Sequence, residues 1–451
     1  MRETGQTTPR IGIQARQGLK VLHLSTFDGD DGAARGSLWL HRALRARGCD
    51  SRMIVGCKRG TDPTVSPLPG PFARLWATVR MKLDALPLRR YRGSGPMASF
   101  WTVGWVPSRM GALARQFAPD IVHLHWVGAG FLPIRALKQF DCPVVWTLRD
   151  MWAFTGGCHY TDGCSRYERS CGACPQLHSD EERDLSRAIW DGKRRHWSKV
   201  DLWLVPISDW LAKCTRSSAL LRGRPIEVIP NGVDLGRFRP TDKLRARESC
   251  GLPADRPVVV YGAMRATHDP RKGFRELLAA LEKLRHAAGR SDILLVVFGD
   301  LKPGDLPNLG LESRYLGYID DDQRLARLYS SADIAVVPSL QEAFGKTVVE
   351  AMACGTPVVA FDTGGPRDIV DHCVDGYLAE PYSADDLARG IGWCLDEVSK
   401  SDALGLRARA KVEAKFDIDM VAARYHALYR TAVAAHRKRP AAGTAARLAS
   451  A

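Results

Sequence analysis

The stretch Pro338-Ser-Leu-Gln-Glu-Ala-Phe-Gly-Lys-Thr-Val-Val-Glu-Ala-Met-Ala-Cys-Gly-Thr-Pro-Val-Val-Ala360 decides the fold of this chain. It follows a buried strand, passes through a loop that contains Glu342 and Gly345, and predicts a helix from about Thr347. Gly355 ends this helix, because glycine readily adopts the left-handed backbone that closes a helix. The next strand follows at once, so the stretch predicts a βαβ unit in a parallel sheet.

Short β-branched runs alternate with amphipathic helical stretches along the rest of the chain, as is typical of parallel sheets covered on both faces. The predicted strands are Lys20–Ser25, Arg52–Val55, Asp120–His125, Val144–Leu148, Val258–Tyr261, Leu294–Phe298, Ile334–Pro338 and Val358–Phe361, and Leu202–Ile207 lies between the fourth and the fifth. They form two series, separated where Pro230 and the pair Asn231-Gly232 break the pattern. Two series of strands indicate two α/β lobes.

The domain prediction follows from this break. The N-terminal lobe is expected to comprise residues 1–205 and the C-terminal lobe residues 206–405. Helices over residues 406–436 are expected to pack back on the first lobe. The tail, residues 437–451, consists of small and basic residues without a cap, and we expect it to be disordered.

The start of the helix in the opening stretch offers an anion site. The free N–H groups near Lys346 and Thr347 lie at the positive end of the helix dipole, and Gly345 has no Cβ to block a phosphate. Glu350, expected in the first helical turn, is suited to accept both hydroxyls of a ribose, and Glu342 is suited to hold a sugar hydroxyl. Taken alone, an isolated pair of glutamates is more often solvated at the surface.

Several segments together resemble the retaining family 4 glycosyltransferases. They are the E-x7-E pair Glu342 and Glu350, the turn Asp30–Ala34, the linker Ile229–Asp234, the turn Arg271-Lys272-Gly273 and the pair Gly364-Gly365. The resemblance covers nearly the whole chain and implies the GT-B fold, in which two facing Rossmann-like lobes enclose a cleft. It also implies a UDP- or GDP-linked sugar donor on the C-terminal lobe, an acceptor on the N-terminal lobe and no metal cofactor for catalysis.

The resemblance assigns roles in the C-terminal lobe. Glu350 binds the donor ribose, Glu342 holds the transferred sugar, and Lys272 neutralises the diphosphate. Arg265 is the second catalytic cation, although it lies seven residues before the lysine where the family pattern has six. Such a site needs fixed cations, because the departing nucleoside diphosphate accumulates negative charge. The residues that complete the donor site around the helix start are Phe344, Gly345, Lys346 and Thr347.

In the N-terminal lobe the resemblance places Gly32 and Ala33 beside the donor phosphate. Residues 145–160 look like a subgroup that builds bacterial exopolysaccharides of the colanic-acid type. Many family members have a histidine where this chain has Arg149, so Arg149 is expected to act there, on the leaving phosphate or on the sugar. Asp150 either orients this arginine or serves the acceptor hydroxyl. The alternative proton donors or acceptors, each equally consistent with a structural role, are His123, His125 and His159.

Four of the 12 cysteines cluster at C-x5-C-x6-C-x2-C spacing, at Cys158, Cys164, Cys171 and Cys174. The C-x2-C pair suits a structural zinc ion, but the first half lacks a second pair of this kind. Reduced cysteines packed in the core are an alternative, and a disulfide is a third, although reducing compartments disfavour it. None of the three explanations makes zinc catalytic.

The chain carries 65 Lys plus Arg against 50 Asp plus Glu, a net charge of +15, and therefore favours anionic partners. Its first residues lack an apolar signal core and no stretch is apolar enough to span a bilayer, so we expect a cytoplasmic protein. Residues 71–92 form a basic amphipathic insert. This insert either contacts the anionic inner face of the plasma membrane or packs on the first lobe with solvated arginines.

The function predicted from these features is transfer of a sugar, with retention, from a nucleoside-diphosphate-sugar. The expected acceptor is a hydroxyl of a polysaccharide or lipid-linked oligosaccharide precursor, and nucleic acid is not an expected partner. Two alternatives stay open. A nucleic-acid-binding zinc protein would explain the charge and the cysteines, and a nucleotide-sugar epimerase or sensor would use the same fold.

Overall fold

The computed structural model describes residues 18–29, 32–70, 73–94, 100–263, 269–300 and 310–438. These residues form two lobes, each built on a six-stranded sheet whose strands are all parallel. The predicted architecture of two Rossmann-like α/β lobes is therefore confirmed. We predicted disorder for the tail 437–451, but Arg437 still belongs to the last helix, and residues 439–451 lie outside the described residues.

The sheet of the N-terminal lobe has the order β3-β2-β1-β4-β5-β6. Its strands are β1 (Lys20–Phe27), β2 (Asp50–Cys57), β3 (Val65–Pro67), β4 (Ile121–Leu124), β5 (Val144–Leu148) and β6 (Leu202–Pro206). This is the Rossmann order. The chain adds strands first on one side of β1 and then, from β4 onward, on its other side, and the point between β1 and β4 leaves a crevice for ligands.

The sheet of the C-terminal lobe repeats this order, β12-β11-β10-β7-β8-β9. Its strands are β7 (Val258–Ala263), β8 (Leu294–Gly299), β9 (Ser313–Tyr315), β10 (Ile334–Val337), β11 (Val358–Phe361) and β12 (Gly376–Ala379). β8 is buried at all six positions, because helices cover both faces of a parallel sheet.

Helices surround both sheets. The α-helices are α1 (Gly32–Ala46), α2 (Ala73–Asp84), α3 (Met110–Phe117), α4 (Leu185–Trp197), α5 (Asp209–Ser217), α6 (Lys243–Ser249), α7 (Phe274–Ala288), α8 (Asp322–Ser331), α9 (Lys346–Ala353), α10 (Pro366–Ile369), α11 (Ala384–Lys400), α12 (Ala403–Lys415) and α13 (Ile418–Arg437). Short 3-10 turns cover Leu86–Ser94, Ile134–Gln139, Trp152–Phe154, Arg166–Glu168, Pro175–Leu177 and Pro270–Lys272. In the part of the chain described, no helix is long and apolar enough to cross a bilayer.

The last two helices pack on different lobes. α12 lies against α9 in the C-terminal lobe, whereas α13 lies against α1 in the N-terminal lobe. The Tyr425 hydroxyl forms a 2.7 Å hydrogen bond with Thr147 Oγ1, and the Tyr429 hydroxyl forms one of 2.6 Å with His123 Nδ1. α13 therefore returns to the first lobe and ties the two lobes together.

Candidate functional site

A cavity of about 410 Å³ lies between the lobes. Phe27 at the end of β1 and Arg149 after β5 line it from the N-terminal lobe. Gly299 at the end of β8 and Val337 at the end of β10 line it from the C-terminal lobe. Parallel α/β sheets bind ligands outside the carboxyl ends of their strands, so this cavity is the candidate active site.

The cavity brings together the site residues predicted from the sequence, with one exception. Those that line it are Gly32, Ala33, Arg149, Asp150, Lys272, Glu342, Phe344, Gly345, Lys346, Thr347 and Glu350. The exception, Arg265, lies outside the described residues. The role of each residue stays a prediction, but their common location does not depend on those roles.

Lys272 and Glu342 form an ion pair in the cavity, with 2.6 Å between Nζ and Oε2. Burial alone would raise the pKa of Glu342, but Lys272 and Arg271 outweigh it, and the pKa lies below its usual value. Gly273 makes this arrangement possible. Its φ is +68°, and a Cβ there would lie 1.7 Å from the carbonyl oxygen of Pro338, so the turn that carries Lys272 packs directly on the end of β10.

Close backbone contacts hold the loop between β10 and α9. The Gly365 N–H donates to the carbonyl oxygen of Glu342 at 2.9 Å, and a Cβ on Gly364 would lie 2.3 Å from the same oxygen. Gly345, the N-cap of α9, has a φ of +102°, a value that favours glycine. The loop therefore presents the free N–H groups at the start of α9 to the cavity.

Glu350 lies in the second turn of α9 because the helix already begins at Lys346, so our placement of it in the first turn was wrong. Lys346 Nζ lies 3.1 Å from Glu350 Oε1, and Arg35 of α1 approaches the same oxygen at 3.6 Å. Arg35 also pairs with Asp322 of α8 and so connects the lobes. Burial lowers the pKa of Lys346 to about 8, against the opposing effect of Glu350.

Arg149 and Asp150 have different partners. Arg149 Nη1 donates to Asn231 Oδ1 at 2.6 Å, and Gly36 on α1 leaves room for the guanidinium, since a Cβ there would lie 2.9 Å from Nη1. Asp150 Oδ2 lies 2.6 Å from His159 Nδ1. Burial would raise the pKa of Asp150, but His159 outweighs it and lowers the pKa. Asp150 therefore orients His159 at the wall of the cavity.

Comparison with known proteins agrees with this geometry. The profile of Glycosyltransferase Family 4 matches residues 31–237, and the profile of Glycosyl transferases group 1 matches residues 242–411. A D-inositol 3-phosphate glycosyltransferase of Xylanimonas cellulosilytica is 30% identical over 346 residues, which cover 71% of this chain and 73% of that protein. The chain belongs to glycosyltransferase family 4. This membership gives no support to the nucleic-acid-binding alternative.

Solved structures share the GT-B fold of this family 4 member. The sucrose-phosphate synthase of Thermosynechococcus elongatus matches with a TM-score of 0.66 and 24% identity, covering 92% of this chain and 100% of that one. HepE of Anabaena in complex with UDP-glucose matches with a TM-score of 0.60 and 19% identity, covering 92% and 100%. The chain spans about half the length of the first curated relatives it matches, between 43% and 62% of three D-inositol 3-phosphate glycosyltransferases.

The histidines considered as alternative proton donors or acceptors in this family 4 member lie in two places. His159 lines the cavity, whereas His123 and His125 are fully buried beside His23. These three buried histidines are the one group, among the described residues, with three potential ligand atoms within 4.8 Å of one another. His23 Nδ1 and His125 Nε2 are hydrogen-bonded at 2.9 Å, and the group does not line the cavity, so we assign it to the core.

The four clustered cysteines line a second cavity of about 20 Å³, apart from the candidate site. They are Cys158, Cys164, Cys171 and Cys174. Their thiols are free in the described residues, so the disulfide alternative is not formed. No three of their sulfurs lie within 4.8 Å of one another. Burial raises the pKa of Cys171 to about 12, which is the behaviour of a neutral thiol.

Sequence reasoning missed two aromatic residues that contact cations of the cavity. The Trp39 ring lies 4.0 Å from Lys346 Nζ and 5.4 Å from Arg35 Cζ, and the Tyr160 ring lies 4.3 Å from Arg271 Cζ. Aromatic faces stabilise cations in such positions. Arg35 lies one helical turn after Gly32, so the sequence spacing could have predicted that its side chain faces the cavity. The spacing could not have predicted its partners on the other lobe.

Proposed function

We propose that this protein transfers a sugar, with retention, from a UDP- or GDP-linked donor to a hydroxyl group. The observation that carries the proposal is the charge of the cavity lining. Five basic residues, Arg35, Arg149, Arg271, Lys272 and Lys346, face three acidic ones, Asp150, Glu342 and Glu350. The surplus of two positive charges is complementary to the two negative charges of the diphosphate in a nucleoside-diphosphate-sugar.

Donor binding would exchange the ion pairs of the cavity. Lys272 is paired with Glu342, while Lys346 and Arg35 lie beside Glu350. A diphosphate offers these cations stronger, charge-assisted hydrogen bonds, together with the N–H groups at the start of α9. Glu350 then becomes available for the two hydroxyls of the ribose. Lys272 is suited to stabilise the charge that grows on the leaving oxygen.

Retention follows if the acceptor oxygen attacks from the face that the diphosphate leaves. Glu342 is held as a carboxylate by Lys272, at 2.6 Å, and this pairing makes it a weak nucleophile. We therefore propose that Glu342 positions the sugar and stabilises its positive charge, rather than forming a covalent intermediate. In this proposal the departing diphosphate itself accepts the proton of the acceptor hydroxyl.

The proposed acceptor is a saccharide, on a polysaccharide or lipid-linked precursor of the exopolysaccharide type. Its support is the wall of the cavity on the N-terminal lobe. The ring centroid of Trp126 lies 5.8 Å from that of Phe27 and 5.7 Å from that of Phe100, and all three residues line the cavity. Aromatic rings with a few polar groups, here Asp150 and His159, are typical of small-molecule sites.

The donor class is tested by thermal unfolding with UDP, GDP and ADP. We expect UDP or GDP to raise the Tm, since a ligand that binds only the folded state stabilises it. Glu350→Ala should lose most of this shift, relative to its own ligand-free Tm, whereas Glu282→Ala on the exposed face of α7 should keep it. Equal shifts in the wild type and Glu350→Ala would show that Glu350 does not bind the nucleotide.

Transfer is tested by following donor consumption with and without saccharide acceptors, and by the NMR coupling constant of the new anomeric proton. Retention predicts the same anomeric configuration in donor and product. Release of an epimerised donor without acceptor would instead establish the epimerase alternative, and donor binding without turnover would establish the sensor.

We also propose that Cys158, Cys164, Cys171 and Cys174 bind a structural zinc ion after their side chains rotate into the cavity that they share. Purified protein should then contain about one equivalent of zinc. Cys171→Ser should lose it, whereas Cys373→Ser, at an exposed cysteine elsewhere, should retain it. A zinc-free protein whose four thiols all react with a thiol reagent after unfolding would establish the alternative of packed, reduced cysteines.

A further inference from the structure

Helix α2 turns its apolar side to the solvent. Leu75, Trp76 and Leu83 are 63%, 59% and 36% exposed, and Leu86 just after the helix is 44% exposed. Leu75, Val79 and Leu83 lie four residues apart, so they share one face of the helix. A surface helix of a soluble protein normally directs such a stripe to the core. The reversed orientation of α2 therefore requires an explanation outside the core.

The opposite face of α2 holds the helix in this orientation by polar contacts. The Arg80 guanidinium donates to the carbonyl oxygens of Pro107, at 2.5 Å, and Gly130, at 2.6 Å. The buried Asp84 carboxylate accepts the N–H groups of Val103, at 2.9 Å, and Gly104, at 2.8 Å. These contacts satisfy backbone groups of the lobe. Rotation of α2 to bury its stripe would break all of them.

The charges around the stripe are positive. Lys82, Arg89 and Arg90 are exposed. Asp84 is the only acidic residue between positions 73 and 94, and it is buried. The sequence expectation of solvated arginines is thus wrong for Arg80, which is used as an anchor. The exposed surface of the segment combines apolar and cationic side chains, a combination that fits anionic lipid headgroups above an acyl layer.

Two exposed aromatic residues follow this segment in the sequence, and one of them lines the cavity between the lobes. Trp105 is 44% exposed and its Nε1 donates to the carbonyl oxygen of Leu83 at 3.1 Å. Phe100, 54% exposed, lines the cavity between the lobes. Tryptophan at a membrane surface places its apolar ring among lipids and its N–H in the polar layer. The exposed stripe of α2 and the acceptor side of the cavity therefore belong to the same lobe.

We propose that the stripe of Leu75, Trp76, Val79, Leu83 and Leu86, with its three exposed cations, docks this protein on an anionic lipid bilayer. The purpose of docking, delivery of a lipid-linked acceptor, rests on the proposed function, but the docking itself does not. Each cation near an anionic surface strengthens binding about fivefold. Loss of three cations should therefore weaken binding on the order of 100-fold.

The test is flotation of the full chain with vesicles of phosphatidylcholine alone or with one quarter phosphatidylglycerol. We expect binding to the anionic vesicles, weakened by salt. Trp76→Ser/Leu83→Ser should abolish it, and Lys82→Gln/Arg89→Gln/Arg90→Gln should reduce it as estimated above. The matched controls remove two exposed leucines elsewhere, Leu244→Ser/Leu406→Ser, or three exposed cations of and after α4, Arg194→Gln/Arg195→Gln/Lys199→Gln. The controls should bind nearly as the wild type does.

The proposal is overturned if wild-type protein does not float with anionic vesicles at low salt, or if the α2 variants bind as tightly as the controls. The wild type could instead be a dimer that Trp76→Ser/Leu83→Ser converts to a monomer without changing vesicle binding. This result would overturn the proposal and assign the stripe to contact with a second copy of the chain. Sugar transfer to a soluble acceptor, measured without vesicles, should be the same in all these variants. If that reaction is absent while vesicle binding persists, the proposed function fails and the docking surface stands.

Discussion

Glu342→Gln is expected to lower kcat about 100-fold or more while donor affinity changes less than about threefold. The side chain of Glu342 lines the cavity and is fixed by Lys272 and by the glycine contacts of its loop. As the bond to the diphosphate breaks, the sugar gains positive charge, and the interaction with a carboxylate strengthens in the transition state. The neutral amide of glutamine keeps the shape of the side chain but loses this electrostatic stabilisation of the transition state.

The measurements are initial rates of transfer at saturating donor and the donor Kd from calorimetry. The matched control is Glu282→Gln on the exposed face of α7, which should have wild-type values. A variant whose Kd rises as much as its kcat falls would make Glu342 a ground-state binding residue. Wild-type kcat in Glu342→Gln would remove it from the active site altogether.

Lys272→Ala is expected to lower kcat/KM by about 100-fold to 1,000-fold, which is the usual cost of removing one fixed group that stabilises developing negative charge. Its Nζ is 2.6 Å from Glu342, so it also sets the position and ionisation of that carboxylate. Removal of the cation therefore affects two groups at once. Lys272→Arg should recover part of the loss, because a charge returns to the site in a different geometry.

The control for this prediction is Lys283→Ala, which removes an exposed lysine that pairs with the exposed Asp385. Surface ion pairs of this kind contribute little to the free energy of unfolding, so activity and Tm should stay close to wild type. The leaving-group role would be excluded if Lys272→Ala had a kcat/KM within about threefold of wild type. A Tm below that of Lys283→Ala by many degrees would instead show that the residue mainly supports folding.

Much of the fold could be predicted because its signals are local. Eight strands were expected and each corresponds to a strand of the structure, since buried parallel strands are continuous apolar runs. The strands that were missed, β3, β6, β9 and β12, have three to five residues and lie at the outer ends of the sheets. Segments such as Val65–Pro67 are too short to show a period. Their pairing is decided by the neighbouring strand.

The candidate site also has a part that local sequence signals predicted and a part that they did not. Glu342, Lys346 and Glu350 belong to one loop and helix, so their spacing already indicated a common site. The contact of Arg35 with Glu350 joins residues from α1 and α9, and the pairing of Asp150 with His159 depends on the irregular path of the chain after β5. No local pattern encodes either distance.

By itself, the amino-acid sequence determined two α/β lobes and the loop on which a donor is proposed to bind, because strand runs, glycine positions and glutamate spacing act over a few neighbouring residues. Only the tertiary structure decided which side of α2 faces the solvent. A helical pattern tells which residues share a face, but the direction of that face depends on what the opposite side can bind. Here Arg80 and Asp84 bind backbone groups of residues 103–130, and these lie far along the chain.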